Sequence, residues 1–439
     1  MTSTPTSAIA GGSLRPAVVL GGNRIPFARA HGAYAGASNQ DMLTSTLEGL
    51  VARFGIQGER LGEVVAGAVM KHSTDFNLTR ESVLGTSLDA HTPAHDVQTA
   101  CATGIESVGG IANKIRLGQI DSGIGGGVDT ISDAPLAFNS EARDLFMQLN
   151  RARTTQDKIK IAMKLRPKHF APLAPQAGEV RTGLSMGEHQ ALTTHYWGIT
   201  REEQDELAML SHNNMAEAYE EGFFNDLMTP FRGLDRDNNL RPGSTMEALG
   251  KLRIAFGKHL GEEATMTAGN STPLTDGAAA ALLSSEDWAQ AHNLPILAEF
   301  VDFEVAAVDF VNGNEGLLMA PTYAIPRILD RHGLTLEDID LFEIHEAFAG
   351  TVAATIKALA DEDYNKNVLG RDTPVGEIDR TKLNVKGSSL AAGHPFAATG
   401  ARIVASLAKM LHEKGAGSLG LISVCAAGGQ GAVALMRGR

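Results

Sequence analysis

The stretch CATGIESVGGIANKI at residues 101–115 decides the fold, because it recurs as AATGARIVASLAKML at residues 397–411. Both copies contain the string ATG, and small or apolar residues then follow at spacings that place them on one face of a helix. These positions are Gly104, Val108, Ile111 and Ile115 in the first copy and Gly400, Val404, Leu407 and Leu411 in the second. The repeat predicts two equivalent helices at a constant offset of 296 residues, as between positions 101 and 397.

Candidate strands extend the repeat. GIGGGV at residues 123–128 and LGLISV at 419–424 lie at the same offset and consist of small or β-branched residues, as buried strands often do. EVVAGAV at 63–69 and DLFEI at 340–344 predict further strands. This alternation of strands and helices predicts an α/β fold of two similar halves with a mostly parallel sheet.

The middle of the chain breaks this pattern. Residues 135–264 are rich in charge and in Met, Phe and His, which predicts an inserted, mainly helical loop domain. We therefore expect an N-terminal half formed by 15–134 with 265–295, and a C-terminal half formed by 296–439. Residues 1–14 carry no charged side chain and predict a flexible tail.

Composition excludes several classes of function. With 38 Lys and Arg against 51 Asp and Glu, the net charge of −13 argues against nucleic-acid binding. No apolar run approaches the roughly 20 residues that a membrane span needs. Val128 stands where the third glycine of a dinucleotide fingerprint would fall after GIGGG at 123–127, so NAD binding is not expected. We expect a soluble protein of the reducing cytosol.

One segment departs from the acidic average. Residues 141–168 hold eight basic side chains against three acids, and their apolar residues predict two short amphipathic helices. Such helices can lie on a membrane surface or against a partner subunit. An ordinary solvated basic face is the alternative interpretation.

The chain has only two cysteines, Cys101 and Cys425, at spacings that suit neither a metal site nor a disulfide framework. Cys101 falls at the turn between a candidate strand and the first repeat helix. Unpaired N–H groups at a helix start favour a thiolate, which predicts a lowered pKa for Cys101, and they can also bind an oxyanion. A buried, inert thiol is the alternative.

The equivalent turn of the second half reads GSSLAAGHPFAATG at residues 387–400. The position that matches Cys101 there is Ala397, three residues after His394. If a pseudo-twofold axis relates the halves, the His394 imidazole should approach the Cys101 thiol and accept its proton. Two further turns, HEAF at 345–348 and CAAGGQG at 425–431, follow candidate strands of the second half, where α/β folds place ligands.

Together, Cys101, HEAF at 345–348, GHP at 393–395 and Cys425 with GGQG at 428–431 resemble the thiolase family. Supporting matches are RIPF at 24–27, GGVD at 126–129, SMG at 185–187, TAGN at 267–270 and TDGA at 275–278. The resemblance spans the chain after the tail. It implies the thiolase fold, in which two βαβαβ-type halves pack as five layers, α-β-α-β-α.

Two residues depart from the commonest thiolase pattern. His345 stands where many thiolases have Asn, and Ala427 stands where they have Gly. Both variants resemble the thiolase (β) subunit of the fatty-acid trifunctional enzyme, in which a similar helical insertion is linked to membrane or partner contact. Ala427 keeps its N–H as an oxyanion donor only if the backbone tolerates the loss of glycine.

The resemblance implies an acyltransferase of fatty-acid β-oxidation, with Cys101, His345, His394 and Cys425 as catalytic residues. His394 deprotonates Cys101, which attacks the ketone of a 3-ketoacyl-CoA, and Cys425 protonates the departing acetyl-CoA carbanion. Free CoA then takes the acyl group, by reversible ping-pong chemistry that equally describes an acetyl-CoA acetyltransferase.

The remaining roles also come from the resemblance. His394 and a donor from the His345 loop, acting through water, stabilise the enolate, while Glu346 orients that loop and the Ala427 N–H serves the tetrahedral intermediate. Ser271 and Thr272 bind the pantetheine arm of CoA, and basic residues of the insertion meet its phosphates. No metal and no redox cofactor is implied, since CoA is a substrate.

Two rival functions remain open. A ketoacyl-synthase-like condensing enzyme shares the doubled fold and the cysteine, but it pairs that cysteine with two histidines and lacks a use for Cys425. A non-catalytic scaffold subunit leaves the four site residues unexplained. We expect a homodimer or homotetramer, with residues 141–168 as the candidate contact with a β-oxidation partner subunit or a membrane.

Overall fold

The computed structural model describes residues 14–175, 178–313 and 315–439, so residues 1–13 of the predicted tail lie outside the described part. Its strands are β1 Val18–Arg24, β2 Ala28–Arg29, β3 Glu63–Ala66, β4 Ala94–Asp96, β5 Ser122–Asp129, β6 Ala137–Phe138, β7 Pro172–Leu173, β8 Thr275–Ser284, β9 Ala298–Ala307, β10 Leu341–Ile344, β11 Leu419–Ala426 and β12 Gln430–Gly438.

Its helices are α1 Asn39–Phe54, α2 Leu78–Leu84, α3 Thr103–Arg116, α4 Ser140–Arg151, α5 Thr155–Ala162, α6 Met186–Tyr196, α7 Arg201–Glu220, α8 Met246–Gly250, α9 Glu286–Ala291, α10 Pro321–His332, α11 Ala349–Ala360, α12 Glu362–Asn367, α13 Ser389–Ala392 and α14 Thr399–Lys414. Short 3-10 turns lie at Pro167–Phe170, Lys258–Glu263, Leu336–Asp338, Arg380–Lys382 and Phe396–Ala398. The predicted repeat is present as α3 with β5 and α14 with β11.

The main sheet runs in the order β10-β11-β12-β9-β1-β8-β5-β3-β4, with β2 added to β8. The expectation of a mostly parallel sheet is wrong, because among the described strands only β10–β11, β3–β5 and β3–β4 pair in parallel. The strands predicted from the sequence supply the parallel pairs, since helical crossovers join them. The strands that the pattern did not identify, β1, β8, β9 and β12, pair antiparallel; β12 for instance follows β11 through a tight turn.

Alternation along the strands sorts the side chains into three cores. Val18 and Leu20 of β1 pack towards α1, whereas Val19 between them packs towards α3 and α14. On the second half, Leu421 of β11 packs towards α10 and α11, whereas Ile422 faces α14. The layers are therefore α1, the part of the sheet that contains β1, the helices α3 and α14, the part of the sheet that contains β11, and the helices α10 and α11. This confirms the predicted five-layer thiolase fold.

Glycines let the two central helices cross in contact at their starts. A Cβ on Gly104 would lie 2.6 Å from the Ala397 carbonyl oxygen, and a Cβ on Gly400 would lie 2.3 Å from the Ile105 nitrogen. Side chains at either position would force the helices apart. The paired glycines therefore bring the Cys101 turn and the turn after His394 together at the centre of the molecule.

The insertion is mainly helical, as predicted. Its helices α6 and α7 pack on α11 and α13 beside the centre, and α4 and α5 form a separate outer layer with β6 and β7. That outer layer exposes Phe138, Met147, Ile159, Met163 and Phe170. Within the described residues, no helix combines the length and the apolar character that crossing a membrane requires.

Candidate active site

A strained turn holds Cys101 at the start of α3. Ala100 adopts a left-handed backbone with φ of 47°, which costs an L-residue about 1 kcal/mol or more. The Thr103 hydroxyl supports this turn, because it accepts a hydrogen bond from the Thr99 N–H at 2.9 Å and donates to the Ala100 carbonyl at 2.8 Å. The arrangement fixes the direction of the Cys101 side chain at the sheet edge.

The Cys101 thiol is half-buried and lies against the N–H of Ala427. Burial, with a contribution from the nearby Asp129 carboxylate, raises the pKa of Cys101 to about 12, although the Ala427 N–H opposes the shift. The prediction of a lowered pKa is therefore wrong, because desolvation by the packed second half outweighs the helix N-terminus. The thiol needs a base.

Two imidazoles meet beside this turn. His345 follows β10, and its Nε2 lies 3.2 Å from Nε2 of His394, with ring centroids 4.1 Å apart. At this distance the rings contact directly, with no space for a bridging water. Gly393, with φ of 97°, makes the turn before His394, where a Cβ would lie 2.4 Å from the Asn239 amide.

Both imidazoles are held neutral. Burial and the Arg402 cation lower the pKa of His394 to about 3. Burial, His394 and Arg402 hold the pKa of His345 well below its usual value. Each ring therefore has one protonated and one unprotonated nitrogen at neutral pH.

Cys425 joins the same centre from β11. Its backbone pairs with Gly431 of β12, and its buried side chain packs with Ala347 and Phe348 of the HEAF turn. Burial and the proximity of Cys101 raise the pKa of Cys425. The structure thus places the two thiols together and pairs His345 with His394, whose turn reaches the start of α3 at Ala397.

The turn after Cys425 keeps its geometry without glycine at position 427. The left-handed residues are Gly428 and Gly429, with φ of 79° and 71°, and Ala427 is not among the non-glycine residues with positive φ. Ala427 therefore presents its N–H to Cys101 without strain. The Glu179 carboxylate of the insertion accepts the Gly428 N–H at 2.6 Å and anchors this turn.

Glu346 is buried and engaged on both oxygens. It accepts hydrogen bonds from the Ser211 hydroxyl at 2.7 Å, the Leu390 N–H at 3.0 Å and the Asn384 amide at 2.8 Å. These contacts tie the HEAF turn to the insertion and to α13. They agree with an orienting role for Glu346.

A cleft of about 870 Å³ opens beside this centre and is lined by Ser271 and Thr272. The buried Ser271 hydroxyl has no hydrogen-bond partner among the described residues. The basic side chains at the cleft are Arg29, His31, His212 and Arg241. Arg241 and His212 belong to the insertion, and no residue of 141–168 is among the described residues that line the cleft.

The sequence interpretation missed four buried polar residues of the site: Asp129, Ser389, Thr399 and Arg402. Asp129 accepts hydrogen bonds from the Val69 and Met70 N–H groups and from Ala397. Polar residues inside the repeat helix and at the end of a repeat strand were the available signal. Their partners come from distant segments, so spacing alone did not assign them.

Two family profiles together match most of the chain. The profile of the thiolase N-terminal domain matches residues 17–287, and that of the thiolase C-terminal domain matches residues 294–438. A 3-ketoacyl-CoA thiolase of Yersinia pestis (strain Pestoides F) is 40% identical over 425 residues, which cover 95% of this chain and 96% of that protein.

Solved structures match over nearly the whole chain. The acetyl-CoA acetyltransferase of Bacillus anthracis superposes with a TM-score of 0.79 at 27% identity, covering 97% of this chain and 100% of that one. The human mitochondrial 3-ketoacyl-CoA thiolase superposes with a TM-score of 0.78 at 25% identity, covering 98% and 100%.

Proposed function

Since the chain belongs to the thiolase family, a family of acyltransferases, we propose that it is a 3-ketoacyl-CoA thiolase. It cleaves a 3-ketoacyl-CoA with free CoA into acetyl-CoA and a shortened acyl-CoA, in fatty-acid β-oxidation. The observation that carries the proposal is the convergence of two pairs, Cys101 with Cys425 and His345 with His394, on adjoining turns near Ser271. A scaffold subunit has no use for that convergence.

The first half-reaction starts at Cys101. Neutral His394 takes the thiol proton, and the thiolate attacks the ketone carbon of the substrate. The bond between the α and β carbons breaks, and its electron pair becomes the enolate of acetyl-CoA. Cys425 donates its proton to that carbon, so acetyl-CoA leaves and Cys101 keeps the acyl group.

The second half-reaction reverses the proton flow. The thiol of an incoming CoA gives its proton to the Cys425 thiolate and attacks the acyl-Cys101 thioester. The shortened acyl-CoA leaves, and Cys101 recovers its proton from His394. Every proton is carried by these residues, so the proposed steps use no metal and no redox cofactor.

Negative charge on oxygen is met by N–H groups. The backbone N–H groups of Ala427 and Cys101 both lie against the Cys101 sulfur, where the tetrahedral intermediate forms. The enolate oxygen of acetyl-CoA is proposed to lie between the two imidazoles. Donors placed before the reaction cost no reorganisation, which is why such groups contribute strongly to catalysis.

The cleft suits coenzyme A. The unpartnered Ser271 hydroxyl can hydrogen-bond the pantetheine amides, and Thr272 follows it in the lining. Arg29 and Arg241 at the cleft offer guanidinium groups to the phosphates, in a protein whose overall charge repels them.

One observation favours a second candidate. A condensing enzyme of the ketoacyl-synthase type uses two histidines beside its cysteine, and His345 and His394 meet in that manner. Cys425 has no role in that chemistry, which acts on a malonyl donor. Release of CO₂ from a malonyl thioester with acyl-loaded enzyme would identify this activity.

The deciding assay supplies acetoacetyl-CoA or a long-chain 3-ketoacyl-CoA with free CoA and follows acetyl-CoA, while intact mass reports acylation. We expect turnover and one added acyl group. Cys101→Ser should lose both, whereas Cys425→Ala should lose turnover but still be acylated at Cys101 by acetyl-CoA. Acylation that persists in Cys101→Ser would show that another residue is the nucleophile.

Assembly and location are part of the proposal. We propose a homodimer or homotetramer in the cytoplasm, with residues 141–168 as the contact with a partner subunit or an anionic membrane. The exposed Ile159 and Met163 next to Lys158, Lys160 and Lys164 support such a contact. Flotation with anionic vesicles tests the membrane arm, and it should fail at high salt and after neutralising the three lysines.

A further inference from the structure

Behind the two imidazoles runs a continuous series of buried hydrogen bonds, which we call the imidazole chain. Its members in order are Arg402, Ser389, His345, His394, Thr399 and the Pro395 carbonyl. The donor to acceptor distances lie between 2.6 and 3.2 Å. The imidazole chain starts at the Arg402 guanidinium, which can only donate hydrogen bonds, and ends at the Pro395 carbonyl, which can only accept them.

The Arg402 end determines the tautomer of His345. Arg402 donates to the Ser389 hydroxyl at 2.8 Å, so this oxygen is an acceptor there. Among the described residues, the one acceptor within reach of the Ser389 proton is Nδ1 of His345, at 2.7 Å. Nδ1 of His345 is therefore unprotonated, and the ring carries its hydrogen on Nε2.

The Pro395 end determines the tautomer of His394 independently. The Thr399 hydroxyl donates to the Pro395 carbonyl at 3.1 Å, so it accepts from Nδ1 of His394 at 2.6 Å. Nδ1 of His394 therefore carries the hydrogen, and its Nε2 has a free lone pair. At their contact of 3.2 Å, Nε2 of His345 therefore donates and Nε2 of His394 accepts.

We propose that the buried partners of the two imidazoles are positioning residues that fix their proton positions, Arg402 and Ser389 for His345 and Thr399 for His394. They make His345 a donor through Nε2 and keep Nε2 of His394 unprotonated. The proton arrangement follows from the contacts alone, and its catalytic meaning rests on the proposed thiolase reaction.

The arrangement has a consequence for the reaction. When the Cys101 proton moves to Nε2 of His394, both facing nitrogens of the pair carry hydrogen and their mutual hydrogen bond breaks. The two N–H groups then point at one position between the rings. An oxyanion such as the enolate oxygen of acetyl-CoA can occupy it, so deprotonation of the nucleophile creates the second oxyanion site.

Arg402 is suited to this role because it is buried and incompletely compensated. Its nearest carboxylate, Glu343, lies 4.0 Å away, and burial raises the pKa of Glu343 to about 8. A cation that stays charged at this position keeps both rings neutral, since it disfavours a second charge close by.

Proton positions can be read directly in the unsubstituted protein. Full-length chain with ¹⁵N-histidine is examined by long-range ¹H–¹⁵N correlation, and His345→Asn and His394→Asn assign the two rings. We expect His345 with its hydrogen on Nε2 and His394 with its hydrogen on Nδ1. The opposite tautomer in either ring, or a charged ring at neutral pH, would overturn the proposal.

Kinetics supply a test that a purely structural role would not pass. Ser389→Ala should lower kcat about tenfold and leave the KM for CoA unchanged. The loss is expected to be only part of the roughly 10²–10⁴-fold that general acid–base catalysis contributes. The matched control is Ser388→Ala, whose hydroxyl also contacts Arg402, at 3.3 Å, but not His345. It should leave kcat within about twofold and the tautomers as they were.

Repeating Ser389→Ala in a His345→Asn variant distinguishes a role of Ser389 in fixing the His345 tautomer from a purely structural role. Asn donates through its amide and has no tautomer to lose, so Ser389→Ala should have no further effect on kcat there. A loss of about tenfold in that background as well would contradict the proposal. If the protein cleaves acetoacetyl-CoA but the imidazoles show the opposite tautomers, the proposal about the imidazole chain is wrong and the proposed function stands. If the tautomers are as expected but acetoacetyl-CoA is not cleaved, the proposed function is wrong and the proton positions stand.

Discussion

The Asp129 carboxylate accepts the backbone N–H of Ala397 at 2.7 Å. Ala397 is the position that the repeat makes equivalent to Cys101, so a carboxylate of the first half holds the matching turn of the second. Its other oxygen accepts the N–H groups of Val69 and Met70. Asp129 thereby joins the two halves at the point where the candidate catalytic turns meet.

Asp129 should make stability depend on pH. Burial raises its pKa from 3.8 to about 7, so between these values the folded protein holds a proton that the unfolded chain has released. The contribution of Asp129 to the free energy of unfolding is therefore full below about pH 4 and lost as pH rises through about 7. The measurement is urea unfolding of wild type and Asp129→Asn across this range. The advantage of the wild type should shrink as pH rises, and a difference that grows with pH would contradict the assignment.

Alkylation should show that the Cys101 thiol has a raised pKa. In a Cys425→Ala background, Cys101 is the only thiol, and its reaction with iodoacetamide follows the thiolate fraction. Since burial raises the pKa to about 12, the rate should climb about tenfold per pH unit from pH 7 to 10. A rate that is already constant at pH 7 would restore the lowered pKa that the helix N-terminus predicts.

Cys425 should control proton exchange without controlling acylation. Cys425→Ala removes the proposed acid, so deuterium exchange at the acetyl methyl of acetyl-CoA should fall by about 10² or more. Labelling of Cys101 by acetyl-CoA should continue and serves as the internal control. Retained exchange would remove Cys425 from the acid–base role.

A side chain at Gly104 should disrupt the contact between α3 and α14. Its Cβ would lie 2.6 Å from the Ala397 carbonyl oxygen, so Gly104→Ala should cost about 3 kcal/mol of unfolding free energy and most of the activity. The matched control is Gly110→Ala in the same helix, where a Cβ meets nothing within 4 Å. There alanine should be neutral or stabilise by about 0.5–1 kcal/mol. Equal effects at both positions would show that helix propensity, and not the close approach, governs Gly104.

The cleft arginines should act on CoA affinity. Arg29→Ala and Arg241→Ala remove exposed cations from the CoA cleft, which should raise the KM for CoA about fivefold each at low salt with little change in kcat. Arg143→Ala, in the 141–168 segment away from the cleft, is the control and should change neither. A larger effect at Arg143 would place the phosphates on the outer helices.

The repeat was readable because helices and strands leave local periodic signals. The repeat predicted two equivalent helices that begin near Gly104 and Gly400, and the resemblance to the family then assigned roles to Cys101 and His394. The sequence pattern did not predict the antiparallel strands β1 and β8. Both are buried throughout their length, so they lack the alternation of polar and apolar residues that marks a half-buried strand.

The sequence by itself determined the doubled α/β architecture, the thiolase family and the residue types of the site, because these depend on short-range patterns and on motifs with fixed spacing. Only the tertiary structure decided how those residues are charged. The pKa of Cys101 rises because its burial in the folded protein outweighs the opposing N–H of Ala427, which comes from a turn 326 residues further along the chain. The proton positions of His345 and His394 depend on Arg402 and Pro395 at opposite ends of one buried chain. Desolvation and hydrogen-bond direction are properties of surroundings assembled from distant segments, and spacing along one chain does not encode them locally.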